Sequence, residues 1–442
     1  MVYGGQYYCP PISGNNLLNY QKYMLGLLSL LIASALPTGS YASVIQTTPS
    51  VPLQQVLDSA RSGDRIELAS GVYRGNFTIK SQIHLKGLSG AVLDGVGKND
   101  VIRILAPNVT IEGLEIYNWG DDLTEMNSGV YVESTGSGIQ LIGNTLEGDG
   151  FGYLLENINQ GNIRGNTITG NPKLRSADRG NGIQLSNVQN ITVSNNVISN
   201  TRDGIYIISS QQNQLLNNHM RDLRYGIHYM YSNNNQVIGN EATNTRAGYA
   251  LMSSKELLIE NNYSYNSQDY GLLMNYITQS EIRDNYFDRI QVPTEQNIRG
   301  AEGKGVFIYN SQNNMIRNNQ FSNADLGIHL TAGSEGNILT ENAFINNKVQ
   351  VKYVSSRNQE WSYSGRGNYW NNYLGWDLND DGIGDAAYEP NDGMDKLLWT
   401  YPQAKVLSNS PAVLMLRWVQ RSFPVLRPQG VKDSFPLMEI PQ

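Results

Sequence analysis

The sequence predicts a right-handed parallel β-helix. Three observations predict it: a glycine recurring every 22 residues, an asparagine sharing that period, and alternation of apolar side chains after each glycine. The glycines are Gly182, Gly204, Gly226, Gly248, Gly271, Gly305 and Gly327, spaced by 22, 22, 22, 23, 34 and 22. The asparagines are Asn144, Asn166, Asn196, Asn218, Asn240, Asn262, Asn285, Asn319 and Asn342, spaced by 22, 30, 22, 22, 22, 23, 34 and 23. Gly129 and Gly152 extend the glycine series upstream, so both series break at the same two places. The first and third positions after each glycine are apolar, as in Ile183/Leu185, Ile205/Ile207, Ile227/Tyr229, Val306/Ile308 and Ile328/Leu330. Such alternation marks strands with one buried face. Short strands repeated without long crossovers stack as coils around a common core. The period is too short for a propeller blade, and the leucine consensus of a leucine-rich repeat is missing. A fixed-corner asparagine can stack on its equivalents as a ladder.

Composition narrows what such a rod can do. A length of 442 residues allows about two to three domains as a prior. Charged residues are only 16% and the formal net charge is −7, which argues against a nucleic-acid partner, since phosphate binding needs a basic stripe. The 27 tyrosines and 44 glycines fit neither a disordered chain nor a coiled coil.

Taken in order, residues 1–42 read as a secretory signal. Lys22 precedes the apolar run LGLLSLLIASAL at residues 25–36, and Ser40 and Ala42 supply the small residues of a cleavage site. Its removal takes away Cys9, the only cysteine, and shifts the net charge from −7 to −8 through loss of Lys22. The mature chain then forms no disulfide and offers no thiol to a metal. Residues 43–365 are the expected solenoid. Val51–Ser62 reads as a helix covering its N-terminal opening, because an exposed strand edge needs a cap. Pro172–Asp178 and Gln291–Lys304 interrupt the period as loops leaving the coil.

The second and fourth positions after each glycine point outward, and equivalent residues on neighbouring coils lie roughly 4.8 Å apart. His228 and Met230 therefore share one outer face, with Met252 in the column of Met230. An imidazole and thioethers without a thiol suit a soft ion, Cu(I). Met274 follows Met252 by 22 residues, but both markers slip by one residue in that repeat, which turns it inward; it remains a possible fourth ligand. His219 and Met220 sit at a different corner, either a second soft pair or nothing. His84 reads as structural. Arg202, Arg224 and Arg246 recur every 22 residues at one turn and either line a groove for an anion such as a uronate or form a solvated column offset by Asp203 and Asp222. The outward columns hold Tyr, Gln, Ser and Met rather than the paired carboxylates of a polysaccharide-cleaving enzyme.

Residues 366–442 form a C-terminal extension. Asp377, Asn379, Asp381 and Asp385, with Gly382, match the first nine positions of a calcium loop, but position 12 is Tyr388 rather than Glu. A structural calcium or magnesium ion and a self-stabilised Asx turn are both consistent with it. Ser410 and Pro411 then open an apolar helix, Ala412–Phe423, in which Leu414, Arg417, Trp418 and Arg421 are candidate contacts. This helix caps the coils or docks on a partner or membrane surface.

The stretches LGIHLTAGSEGN (Leu326–Asn337), QVKYV (Gln350–Val354), EWSYSGRGNYW (Glu360–Trp370), LGWDLNDDGIGD (Leu374–Asp385) and NSPAVLMLRWVQRSFPVLRP (Asn409–Pro428) resemble the NosD family. The resemblance is dense from about Gly226 onward; upstream it is the generic carbohydrate-binding/sugar-hydrolase β-helix repeat. It implies a periplasmic, non-enzymatic protein of nitrous-oxide reductase maturation. In that family it is the periplasmic subunit of a complex with an ABC-type ATPase and a permease, membrane-associated through the permease. A lipoprotein copper chaperone is a further partner, and copper is delivered to the apo-reductase. A polysaccharide-active enzyme and a metal-free docking scaffold stand as the alternatives.

Overall fold

The computed structural model describes residues 42–293, 301–355, 357–407, 410–423 and 429–441. The expected signal segment, with Cys9 and Lys22, lies outside them except for Ala42, as does the middle of the Gln291–Lys304 loop.

From Val44 to Trp370 the chain winds through about 14 turns of a right-handed parallel β-helix. Each coil crosses three sheets of 12, 13 and 13 strands in turn, called here faces 1, 2 and 3. One coil illustrates the pattern: Ile183–Ser186 lies on face 1, Gln189–Ser194 on face 2 and Val197–Ser199 on face 3. Its alternate residues Ile183, Leu185, Ile191, Val193 and Ile198 are fully buried inside the coil. The 22-residue period keeps equivalent positions in register, with Ile183 beside Ile205 and Ile205 beside Ile227. Period-two alternation within a strand and vertical register between strands thus build one continuous apolar core. The last face-3 strand, Tyr369–Trp370, carries the coil slightly past the expected boundary at residue 365.

The two repeat markers have distinct jobs. The glycines begin face-1 strands where neighbouring backbones come close: a Cβ on Gly226 would lie 2.6 Å from the Gly248 carbonyl oxygen and 2.7 Å from the Ala242 Cβ. The asparagines form a buried ladder at the corner between faces 2 and 3. Asn196 Nδ2 donates to Asn218 Oδ1 at 2.9 Å, and the same oxygen accepts the Asn196 backbone N–H at 3.1 Å. Repeated from Asn144 to Asn368, this satisfies corner backbone groups that no strand pairs.

Both openings are covered. Helix α1 (Leu53–Ser59), shorter than the expected Val51–Ser62, buries Leu53 and Leu57. The Gln54 side-chain amide donates to the Thr78 carbonyl at 3.0 Å and accepts from the Thr78 N–H at 2.9 Å, occupying an otherwise unpaired strand edge. At the other end Asp433 takes the place of the next asparagine: its Oδ2 accepts from the Asn368 N–H at 2.7 Å and from Trp370 Nε1 at 2.8 Å. Burial pushes the Asp433 carboxyl up to about 6 against the opposing pull of those bonds. The extension also carries helix α2 (Gly393–Thr400), whose Asp392 and Asp395 form a reciprocal capping box, and helix α3 (Pro411–Ser422), N-capped by Ser410. Arg417 of α3 donates to both Asp392 and Asp395 and so pins the two helices together.

Candidate functional site

The outer surface of face 1 carries the site, on the strands Asp203–Ile208, Tyr225–Met230 and Ala247–Lys255. Outward alternation places His228 and Met230 on one strand, and the register sets Met230 directly beside Met252. Both methionines are half-buried. The Met230 sulfur accepts a hydrogen bond from the Tyr206 hydroxyl at 3.3 Å.

His228 points outward, yet only 8% of its surface is exposed. The Tyr206 ring leans on it at 4.8 Å between centroids and the Tyr225 ring meets it edge-on at 5.0 Å. The Arg224 guanidinium in turn lies over Tyr225 at 4.4 Å. Beneath the imidazole lies Asp203, 1% exposed. Its Oδ2 stands 3.0 Å from His228 Nδ1, and Arg224 binds the same carboxylate through Nε at 2.8 Å and Nη2 at 2.6 Å. Burial pushes the Asp203 carboxyl up, but the bonds from His228 and Arg224 outweigh it and hold the group below its ordinary value. An ionised acceptor at Nδ1 fixes the proton on that nitrogen and leaves the lone pair on Nε2. Nε2 is buried and has no hydrogen-bond partner. A carboxylate that orients a histidine through one nitrogen while the other stays open is the usual support of a metal-ligating imidazole.

Met274 corrects one expectation. It lies beside Leu251, not Met252, and is fully buried in the core. The 23-residue step from Gly248 to Gly271 slips the strand by one residue, which reverses the face of every side chain. Met220 is likewise in the core, whereas His219 is exposed and paired with Glu241 at 3.0 Å, so the two do not form a second soft site. His84 bonds Glu112 at 2.7 Å in a structural pair.

The Asp-rich loop turns its ligands on itself. Asp377 accepts from the backbone N–H groups of Asp380 at 2.7 Å and Gly382 at 2.8 Å, Asp381 from Ile383 at 2.9 Å, and Asp385 from Leu378 at 2.7 Å. The Asn379 amide donates to Asp381 at 3.0 Å. These are Asx turns, and the expected calcium or magnesium ion finds no support in them. On α3, Leu414 and Trp418 are exposed together with Met415 and Leu416. Arg417 is committed to α2 and so is no part of that surface; the side chain of Arg421 lies outside the described residues.

The repeat pattern passes over two features of face 1. Asp203 reads in sequence as a neutralising neighbour of the arginines, 25 residues from the histidine it orients. Upstream, Arg103 binds Asp100 and Glu133 and covers the Tyr131 ring, while Tyr131 donates to Glu156. Burial, reinforced by Glu156, raises the Tyr131 hydroxyl. Its acidic neighbours are therefore engaged, and the phenol keeps its proton at neutral pH.

Comparison with known proteins supplies the family. A relative from Pseudomonas aeruginosa PAO1, named a probable ABC transporter binding protein NosD, is 52% identical over 90% of this chain and 93% of its own length. The chain belongs to the NosD family. A second relative of the same name, from Stutzerimonas stutzeri, is 49% identical over 96% of this chain and 95% of its own. The family model described as periplasmic copper-binding protein (NosD) matches residues 164–375, which include Asp203, Tyr206, Arg224, His228, Met230 and Met252. A right-handed β-helix model matches residues 75–242. Two solved structures share the fold alone. The A-module of a mannuronan C-5 epimerase from Azotobacter vinelandii aligns with a TM-score of 0.56 at 14% identity, covering 71% of this chain and 93% of the module. A PL6 alginate lyase aligns with a TM-score of 0.54 at 16% identity, covering 70% of this chain and 82% of the lyase. Among the described residues no helix is long and apolar enough to cross a membrane, and no three His, Cys, Asp or Glu side chains gather as a metal site.

Proposed function

We propose that this protein is a non-enzymatic periplasmic accessory of nitrous-oxide reductase maturation. It receives Cu(I) at His228, Met230 and Met252 and presents it to the apo-reductase. The observation that carries the reading is the imidazole of His228: Asp203 locks its Nδ1, and its buried Nε2 has no partner, next to two thioethers. One nitrogen and two sulfurs match a soft monovalent ion, and few ligands make release to an acceptor feasible. Tyr206 would surrender its hydrogen bond to Met230 when the sulfur turns to the metal. The membership of the family and its description as copper-binding support the same reading.

The names of the relatives support an ABC-type partner, and the exposed Leu414, Met415, Leu416 and Trp418 of α3 offer an apolar surface for its permease. A lipoprotein copper chaperone would load the site. Against an enzyme stand the satisfied carboxylates around Arg103 and the neutral Tyr131.

Competition for Cu(I) against a chromogenic chelator tests the site. The parent should retain Cu(I), and the His228→Ala/Met230→Leu/Met252→Leu variant should yield it. Equal retention by the two would sink the assignment. Deletion after Asn409 should abolish co-purification with the permease while the coils stay folded.

A further inference from the structure

The arginine column of the 22-residue repeat meets the insertion that breaks the repeat. Together they bound a cleft of about 480 Å³ lined by Arg179, Arg202, Arg224 and Arg246, with Asp222 as its one carboxylate and Ser176 on the insertion side. Four guanidinium groups converge here on a chain whose net charge is −7. The backbone spaces them rigidly: Arg224 N–H donates to the Arg202 carbonyl at 2.8 Å and Arg246 N–H to the Arg224 carbonyl at 3.0 Å.

The charges are compensated unequally. Arg224 is bound to Asp203 and Arg246 to Asp269. Arg179 spends its donors on main-chain carbonyls, at 2.9 Å from Nε to Leu174 and 3.1 Å from Nη2 to Pro172, which hold the insertion but cancel no charge. Asp222 is already engaged by Arg221 at 2.9 Å. Arg202 has no ion pair among the described residues, and its Nε is buried without an acceptor. The Ser176 hydroxyl on the opposite wall is also buried and unpartnered. A buried guanidinium N–H without an acceptor costs free energy that an anion would recover.

We propose that this cleft binds a small-molecule oxyanion, held by Arg202 and Ser176 in the positive field of Arg179 and Arg224. The guanidinium fork suits carboxylate, phosphate and sulfate alike. The cleft is larger than a bare ion, so the oxyanion either binds free or is carried on a molecule of the size of an acidic sugar. The site does not depend on copper binding at His228.

Calorimetric titration of the full mature chain with inorganic phosphate, sulfate and galacturonate tests it. At least one should bind, more weakly as salt rises. Preference for galacturonate would identify an acidic sugar, and preference for phosphate or sulfate an inorganic or esterified oxyanion. Arg202→Gln should weaken that binding by about tenfold or more. Arg246→Gln should weaken it by only about twofold, since its charge is exposed and already paired. Lys98→Gln, an exposed change elsewhere, should leave binding unaltered. If Arg202→Gln fails to fold, Ser176→Ala supplies the same test. No binding of any of the three anions, or parent-like affinity in Arg202→Gln or Ser176→Ala, overturns the proposal.

Discussion

Two regions of this molecule carry ligand-like residues at ligand-like spacing, and they have opposite fates. Around His228 a strand holds an imidazole whose free nitrogen cannot turn back to its own backbone, because Asp203 and two tyrosine rings fix the ring. In the loop Asp377–Asp385 the carboxylates reach their own amides and are consumed by them. Residue type and spacing are similar guides in both places. What separates them is whether the local backbone offers the side chain a nearer partner than a metal.

The sharpest way to break that contrast is to remove ligands from each region in turn. His228→Ala/Met230→Leu/Met252→Leu should lower Cu(I) affinity by more than ~100-fold, beyond the loss expected for a supporting residue. Asp377→Ala and Asp381→Ala should leave it unchanged, and added calcium should not raise the melting temperature of the parent. Next comes the support beneath the imidazole. Asp203→Asn should cost about 10–100-fold in Cu(I) affinity while the thioethers remain. Asp203→Ala leaves Arg224 without its partner and should also destabilise the fold by about 3 kcal/mol or more, read from denaturant midpoints.

A third contrast concerns buried carboxylates. Asp203 faces cations, whereas Asp433 meets only the neutral donors of Asn368, Trp370 and the Phe435 backbone. Its carboxyl stands at about 6, above the ordinary 3.8, so the folded cap binds the proton more tightly than the unfolded chain. The associated stabilisation is complete below about pH 4 and is lost as pH rises through 6, up to about 3 kcal/mol. Hydrogen exchange at the Tyr369–Trp370 strand should therefore slow on acidification over that window, and Asp433→Asn should remove this response. The smallest effect belongs to Met274→Leu, a swap inside the core. It should cost under ~1.5 kcal/mol and leave Cu(I) binding unchanged. A drop in affinity would return Met274 to the site.

The solenoid was legible because each marker has one physical cause repeated many times: close backbone approach for the glycines, corner satisfaction for the asparagines. Register followed, and with it the alignment of Met230 with Met252 and the inward turn of Met274. The burial of His228 was not legible, because Tyr206 comes from the neighbouring strand and Tyr225 and Arg224 fold over the imidazole from its own. Asp203 was hidden for a different reason. It stands at the strand entrance, where the pattern places turn residues, and its link to His228 exists only across coils. The Asp-rich loop misled because carboxylate spacing says nothing about where the amides of the same loop point.

The stack of coils also acts as a ruler. From the His228 strand to the last face-1 strand, Val349–Tyr353, are five successive strand-to-strand steps, roughly 24 Å at the spacing of paired strands. The α2 segment is tied to that far end, where Asn391 donates to the Val351 carbonyl at 2.8 Å and Lys396 to the Ser355 carbonyl at 2.9 Å. A body seated on the tail helices and also touching the methionines would have to bridge that fixed gap, so the rod sets the reach of its clients by counting rungs.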